Sequence, residues 1–137
     1  MQINLHYKRY HMKSIIHSNK APAAVGPYSQ ATATESLVFV SGQLPLDVAT
    51  GAFASDDVVG QTHQCLKNLS AILEAAGSSM ENVLKTTVYL KDIRDFGAMN
   101  EVYATYFTQD PPARAAFEVA NLPKDALVEI EAVASKA

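Results

Sequence analysis

PPARAAFEVANLPKDALVEIEAV, residues Pro111 to Val133, is two runs of β-forming residues around the turn Asn121-Leu122-Pro123-Lys124-Asp125. Such a pattern predicts a hairpin with a longer loop. In the first run Ala115, Phe117 and Val119 share one face, opposite Arg114 and Glu118. In the second, Val128, Ile130 and Ala132 share a face opposite Glu129 and Glu131. Pairing apolar with apolar sets Val119 near Val128 and Phe117 near Ile130. Arg114, Glu118, Glu129 and Glu131 then collect on the far side, with Glu118 and Glu129 nearly opposite. Like charges across strands destabilise a sheet, so this face is expected to have a use beyond strand pairing. A solvated face with surface ion pairs is the commoner origin of such a pattern.

Upstream, Pro111-Pro112 ends a helix that starts at Asp95 and carries Phe96, Met99, Tyr103, Tyr106 and Phe107 on one side. Asn100 lies at the edge of that stripe. Before it, Asn82 to Lys91 is β-branched and aromatic, hence a strand. An earlier helix is expected from an N-cap at Asp56, with Val58, Val59, Cys65, Leu66, Leu69, Ile72, Leu73 and Ala76 as its apolar stripe and Gly77 as its stop. Lys13–Ser18, Tyr28–Thr34 and Leu37–Gln43 read as strands, the last two joined by a tight turn at Glu35-Ser36. Pro22, Gly26 and Pro27 enforce a loop between the first two, and Pro45 to Ser55 is another. The order β-β-β-α-β-α-β-β predicts an α+β sandwich, a mixed sheet of about six strands with two helices on one face. Phe117, Val119, Val128 and Ile130 suit the covered side. The face bearing Arg114 and the glutamates then meets water or another subunit. Leu37 to Val40 is apolar on both faces, which also suggests two-sided burial, so a symmetric oligomer is expected.

At 137 residues the chain makes one domain with a proper core. Its net charge of −3, with no cluster of Lys and Arg beyond Lys8-Arg9, argues against a nucleic-acid partner. The single Cys65 excludes an intrachain disulfide and fits a reducing compartment, the cytoplasm. No run has the length of a membrane span. Residues 1–11 (MQINLHYKRYH) lack the apolar core of a signal peptide and read as a disordered lead-in, or an early start before Met12, ahead of a single domain at 12–137.

His6, His11, His17 and His63 have no metal-ligand spacing with one another or with Cys65, so no metal site is expected. Cys65, on the helix stripe, reads as a buried thiol. Ser41-Gly42-Gln43 follows a strand but belongs to no nucleophile elbow, and no glycine-rich phosphate loop occurs. Arg114 and the glutamates remain. A guanidinium offers a planar fork that matches a carboxylate, and a glutamate can orient a water or take its proton. Together they suit small carboxylic acids undergoing hydration, although many strands end in such pairs for structural reasons.

Several stretches also carry a family resemblance. They are APAAVGPYSQA (Ala21–Ala31), VSGQLPLD (Val40–Asp47), the helix ending EAAG (Glu74–Gly77), VLKTTVYLKDIRDFGAMNEVY (Val83–Tyr103) and PPARAAFEVANLPKDALVEIEA. In this order, over Met12 to Ala137, they resemble the RidA (YjgF) family of reactive-intermediate deaminases. The resemblance implies a chorismate-mutase-like fold, a homotrimer with sites between subunits, and cofactor-free hydrolysis. The implied substrates are 2-imino acids or their enamine tautomers, 2-iminopropanoate and 2-iminobutanoate, which go to 2-oxo acids and ammonia as metabolite damage repair. It matches Arg114 to the arginine that binds the substrate carboxylate and Glu129 to the glutamate proposed to position water. Tyr28, Ser41, Gly42 and Asn100 match other pocket positions; alternatively Tyr28 packs the loop, Gly42 turns it and Asn100 caps backbone. Family members often have a cysteine two residues after the arginine, where this chain has Ala116. Rival readings are a non-catalytic small-carboxylate-binding or regulatory trimer, and a ribonuclease or translation inhibitor.

Overall fold

In a computed structural model describing residues 12–137, three strands come first: β1 (Ser14–Ile16), β2 (Ala31–Ala33) and β3 (Leu37–Gln43). Helix α1 (Val58–Ala75), β4 (Val83–Leu90), α2 (Phe96–Tyr106), β5 (Ala113–Glu118) and β6 (Val128–Ser135) follow. This is the expected order, an α+β fold with a six-stranded mixed sheet and two helices. The expected lead-in, residues 1–11, lies outside the described residues.

α1 forms where its stripe predicts, with Cys65, Leu66, Leu69, Ile72 and Leu73 buried against the sheet. Its N-cap is Asp57, one residue later than expected: Gly60 N donates to Asp57 Oδ1 at 2.7 Å, and Asp57 has the extended backbone that a cap requires. Gly77 ends the helix in the left-handed conformation (φ 76°). From the sheet, Val38, Val88, Leu90, Val128 and Ile130 meet the helices fully buried. Each such side chain contributes about 1.5–3 kcal/mol by leaving water.

The sheet runs β1-β2-β3-β6-β4-β5, antiparallel throughout except for β4 and β5. The terminal stretch is therefore not a hairpin, because β4 lies between its two strands. Leaving β4 through α2, the chain makes a crossover and returns as β5 parallel to β4. β6 must then take the other flank of β4. Residues 119–127 carry the chain there, with Lys124 and Asp125 both at positive φ (55° and 60°).

This order corrects the expected faces. Tyr89 stands between Phe117 and Glu129, Val88 between Ala116 and Ile130, and Thr86 between Arg114 and Ala132. Phe117 thus lies on the open face with Glu129, 44% exposed, its ring edge-on to Tyr89. Arg114 lies on the helix-covered face. Apolar alternation misled here because β5 is an edge strand, where the helix layer runs out and neither face is fully buried. Glu118 and Glu129 are not opposite one another: Glu118 Oε1 accepts from Ile93 N at 3.1 Å, which relieves the expected repulsion.

Candidate active site

Two clusters of polar side chains are built on the two faces of this sheet. The first starts from an irregularity. Val40 pairs with Ala132 and Gln43 with Ile130, so Ser41 and Gly42 together oppose the single residue Glu131. That is a β-bulge, a device that bends a strand and re-aims side chains. It keeps Val40 and Gln43 facing the core while opening a recess beside β6. Tyr28, Ser41, Gly42, Lys124, Glu129 and Glu131 are among the residues that line the resulting cavity, about 560 Å³ in volume.

Gly42 is needed for close approach: a Cβ there would stand 2.5 Å from Glu129 Oε2 and 2.9 Å from its Cδ. The bare backbone lets the carboxyl lie against β3. Burial, and next the negative charge of Glu131, raise the Glu129 carboxyl above its ordinary pKa. Glu131 accepts a hydrogen bond of 2.5 Å from the Tyr89 hydroxyl. Ser41 Oγ donates to Ser29 O at 2.6 Å, tying the bulge to the loop before β2. The Tyr28 hydroxyl accepts from Val25 N at 3.3 Å while half of the residue stays exposed.

Two buried amides hold the cavity walls, and periodicity did not mark either. Ser18 N donates to Gln30 Oε1 at 2.7 Å, and Gln30 Nε2 donates to Pro22 O at 2.8 Å, which closes the loop carrying Tyr28. Asn68 Nδ2 reaches from α1 to Leu44 O (3.1 Å) and Leu46 O (3.0 Å). The signal for Asn68 was a polar residue inside the apolar stripe, one turn from Cys65 and Ile72.

The second cluster surrounds Arg114 on the helix-covered face of β5. Arg114 Nη1 donates to Asn100 Oδ1 at 2.7 Å. Its guanidinium carbon lies 4.7 Å from the Tyr103 ring centre and 5.4 Å from that of Phe96. The hydroxyls of Tyr103 and Thr86 are 2.7 Å apart in a hydrogen bond that fixes the Tyr103 ring. Among the described residues the ion pairs are Lys91–Asp125 and Arg94–Asp92; none includes Arg114. A surface pair with Glu118 is therefore not its role. The guanidinium is oriented by an amide and two aromatic faces, with donors left over. Ala116 follows on the same face beside Val88.

Of the expected site residues, the fold brings Tyr28, Ser41, Gly42 and Glu129 together, and Arg114 with Asn100. It does not bring the two sets together within one protomer. They lie on opposite faces and two strand spacings apart, roughly 10 Å laterally before the thickness of the sheet is added. Glu131 and Lys124 were not singled out as pocket residues, and Phe96 and Tyr103 read only as core stripe. The expected inert thiol is found: Cys65 is fully buried, its Sγ is 3.7 Å from Val128 O, and burial raises its pKa well above the usual value.

The family model described as Endoribonuclease L-PSP matches residues 18–136. A RutC family protein of Pyrococcus horikoshii is 54% identical over 125 residues, covering 91% of this chain and 99% of the relative. The 2-iminobutanoate/2-iminopropanoate deaminase of Mus musculus is 50% identical over 123 residues, covering 90% of this chain and 91% of the relative. Among solved structures, E. coli TdcF with bound serine superposes with a TM-score of 0.87 at 42% identity, covering 90% of this chain and 99% of that one. With most of its length matched in sequence and in fold, the chain belongs to the Endoribonuclease L-PSP family, that of the RidA and YjgF proteins.

Proposed function

We propose that this protein hydrolyses 2-imino acids, 2-iminopropanoate and 2-iminobutanoate, to 2-oxo acids and ammonia in sites formed between copies of the chain. The observation that carries this reading is Arg114: a guanidinium held by Asn100 over two rings, with no carboxylate of its own among the described residues. Such a group is prepared to receive a carboxylate from a ligand. The relative in Mus musculus named as a deaminase supplies the substrate class.

In this reading Arg114 fixes the substrate carboxylate and Glu129 works on water. Water oxygen bonds to C2 of the protonated imine, the C=N π pair moves to nitrogen, and Glu129 takes a water proton. Glu129 then returns that proton to nitrogen, and the C–N bond breaks with its electron pair leaving on ammonia. An oxygen lone pair closes the carbonyl, and the remaining hydroxyl proton passes through Glu129 to the ammonia, which leaves as ammonium. Arg114 and Glu129 sit on opposite faces, so one substrate can meet both only if the Arg114 edge of one copy abuts the cavity of another. Turnover of 2-iminopropanoate by the purified chain, followed as pyruvate or ammonia, tests the reading; no turnover above buffer would sink it.

Assembly is the first expected outcome. Light scattering coupled to size exclusion should give about three times 14.8 kDa, the trimer that the family resemblance implies. The half-exposed Phe39 and Phe117 on the open face support association. A monomer at micromolar concentration would leave each site half built.

Gly42→Ala tests the recess. Gly42 has no positive φ, so alanine fits the backbone, and the colliding atoms are the far end of a flexible side chain. The variant should keep its melting temperature while turnover falls by up to about 100-fold, the scale of a group displaced by about 1 Å. Full activity would show that the Glu129 position is not critical.

A small-carboxylate-binding protein without turnover is the second reading, favoured by the bound serine in the TdcF structure. Binding of 2-oxobutanoate with no imine turnover would select it. RNA cleavage is not expected, because the net charge is −3 and the cavity presents Glu129 and Glu131, which repel phosphates. Nuclease activity that follows the protein peak and disappears in Glu129→Gln would reverse that judgement.

A further inference from the structure

Glu131 takes no part in the steps above, yet its placement is specified from three directions. It lies two residues from Glu129 on β6 and so projects from the same face. The bulge sets Ser41 and Gly42 opposite it. The Tyr89 hydroxyl, 2.5 Å from its Oε1, fixes its direction. Tyr89 stands directly across from Glu129, and its ring packs edge-on against Phe117 at 5.5 Å and 88°. A glutamate on an open sheet face ordinarily swings into water, where its charge is screened. This one is tied beside the cavity it lines.

We propose that Glu131, held by Tyr89, is a positioning residue for the hydrolysis, its fixed negative charge keeping Glu129 able to hold the proton that passes from water to the leaving nitrogen. The inference rests on the deaminase reading of Glu129. A carboxylate in water is a weak base, and a like charge nearby makes it a stronger one. The direction found for Glu129 agrees: its pKa is raised, by burial first and by Glu131 second.

The other groups around Glu129 do not supply this. From β3, Ser41, Gly42 and Gln43 are uncharged. From β4, the Tyr89 phenol is pushed up to about 12, chiefly by its bond to Glu131, and stays neutral near pH 7. Tyr28 adds a second phenol, from the loop before β2. Lys124 on the cavity rim and Lys85 farther along the open face act in the opposite sense. Behind the sheet, burial keeps the Cys65 thiol protonated.

The test is a carboxyl-carbon NMR titration of the full chain labelled in its glutamates, with the Glu129 signal assigned from Glu129→Gln. Melting temperature and size are read on the same samples. In Glu131→Gln the Glu129 midpoint should move to lower pH, and the acid limb of kcat/KM for 2-iminopropanoate should move with it. Glu131→Asp should bring both back toward the parent. Tyr89→Phe keeps the charge but releases it, so the midpoint should move the same way by less. An unmoved or raised midpoint in Glu131→Gln overturns the proposal; if that variant does not fold, the same result in Tyr89→Phe does so. The deaminase reading fails separately, if Glu129→Gln turns over substrate like the parent. An inactive Glu129→Gln together with an unmoved acid limb in Glu131→Gln overturns this inference alone.

Discussion

Replacing Arg114 with alanine is expected to lower kcat/KM for 2-iminopropanoate by about 100-fold to 10,000-fold. Two charge-assisted hydrogen bonds to the substrate carboxylate are lost, at roughly 1.5–3 kcal/mol each. Water entering the space returns part of that, so the lower end is the firmer expectation. Arg114→Lys keeps the charge without the fork and should recover only part of the loss. A second consequence separates this from a structural role. The guanidinium also covers the Tyr103 and Phe96 rings, so its removal should cost about 1–2 kcal/mol of stability. That is far too little to explain the expected loss in rate. Imine turnover and thermal denaturation on one sample make the comparison. A fully active Arg114→Ala would remove the carboxylate clamp from the mechanism, and a loss of activity matched by unfolding would assign Arg114 to the fold.

Glu129→Gln is expected to reduce kcat by about 100-fold or more while leaving assembly intact, since a base acts mainly in the transition state. The same change should not weaken the protein near neutral pH. The Glu129 carboxyl is raised above its unfolded value, so the folded chain binds the proton more tightly than the unfolded one does. Its contribution to stability is then full below the unfolded pKa and is lost as pH rises through the folded pKa. At neutral pH the charged form is the less favoured in the fold, and glutamine removes that penalty. The expected signature is a melting temperature equal to or above the parent's, with turnover nearly gone. Unchanged kcat would move water activation to another group, such as a backbone carbonyl.

Element type was legible in the sequence wherever burial is one-sided. Cys65, Leu66, Leu69, Ile72 and Leu73 recur at helical spacing because one face of α1 is dry, and Val128, Ile130 and Ala132 alternate because β6 is covered on one side. Leu37–Gln43 was read with its observed limits because the turn at Glu35-Ser36 and the loop from Pro45 bound it. Strand neighbours were legible for β2 and β3, joined at the tight turn Glu35-Ser36, but not for β5 and β6. Sequence proximity favours a hairpin between β5 and β6, but the crossover through α2 places β5 beside β4 first. Nothing in the alternation of Arg114 to Glu118 encodes that, since an edge strand under thin cover satisfies either orientation. The candidate residues came from the matching stretches of chain. Their division between two sheet faces was not legible there, because it depends on the pairing of β4. The bulge was equally silent: Ser41 and Gly42 look like the ordinary continuation of an apolar strand.

That bulge separates the fate of the fold from the fate of its chemistry. Without Gly42, Val40 would still face Ala132, Ser41 would face Glu131 and Gln43 would still face Ile130, an unbroken ladder with every core residue facing inward. The chain is thus one codon away from a sheet more regular than its own. The resulting protein would keep its core and lose the recess that admits the Glu129 carboxyl. If the proposed hydrolysis holds, divergence on this scaffold has an easy downhill direction, toward a well-folded chain without turnover. Regaining turnover would be the harder course, because the insertion must fall at one dipeptide and one of its two residues must carry no side chain.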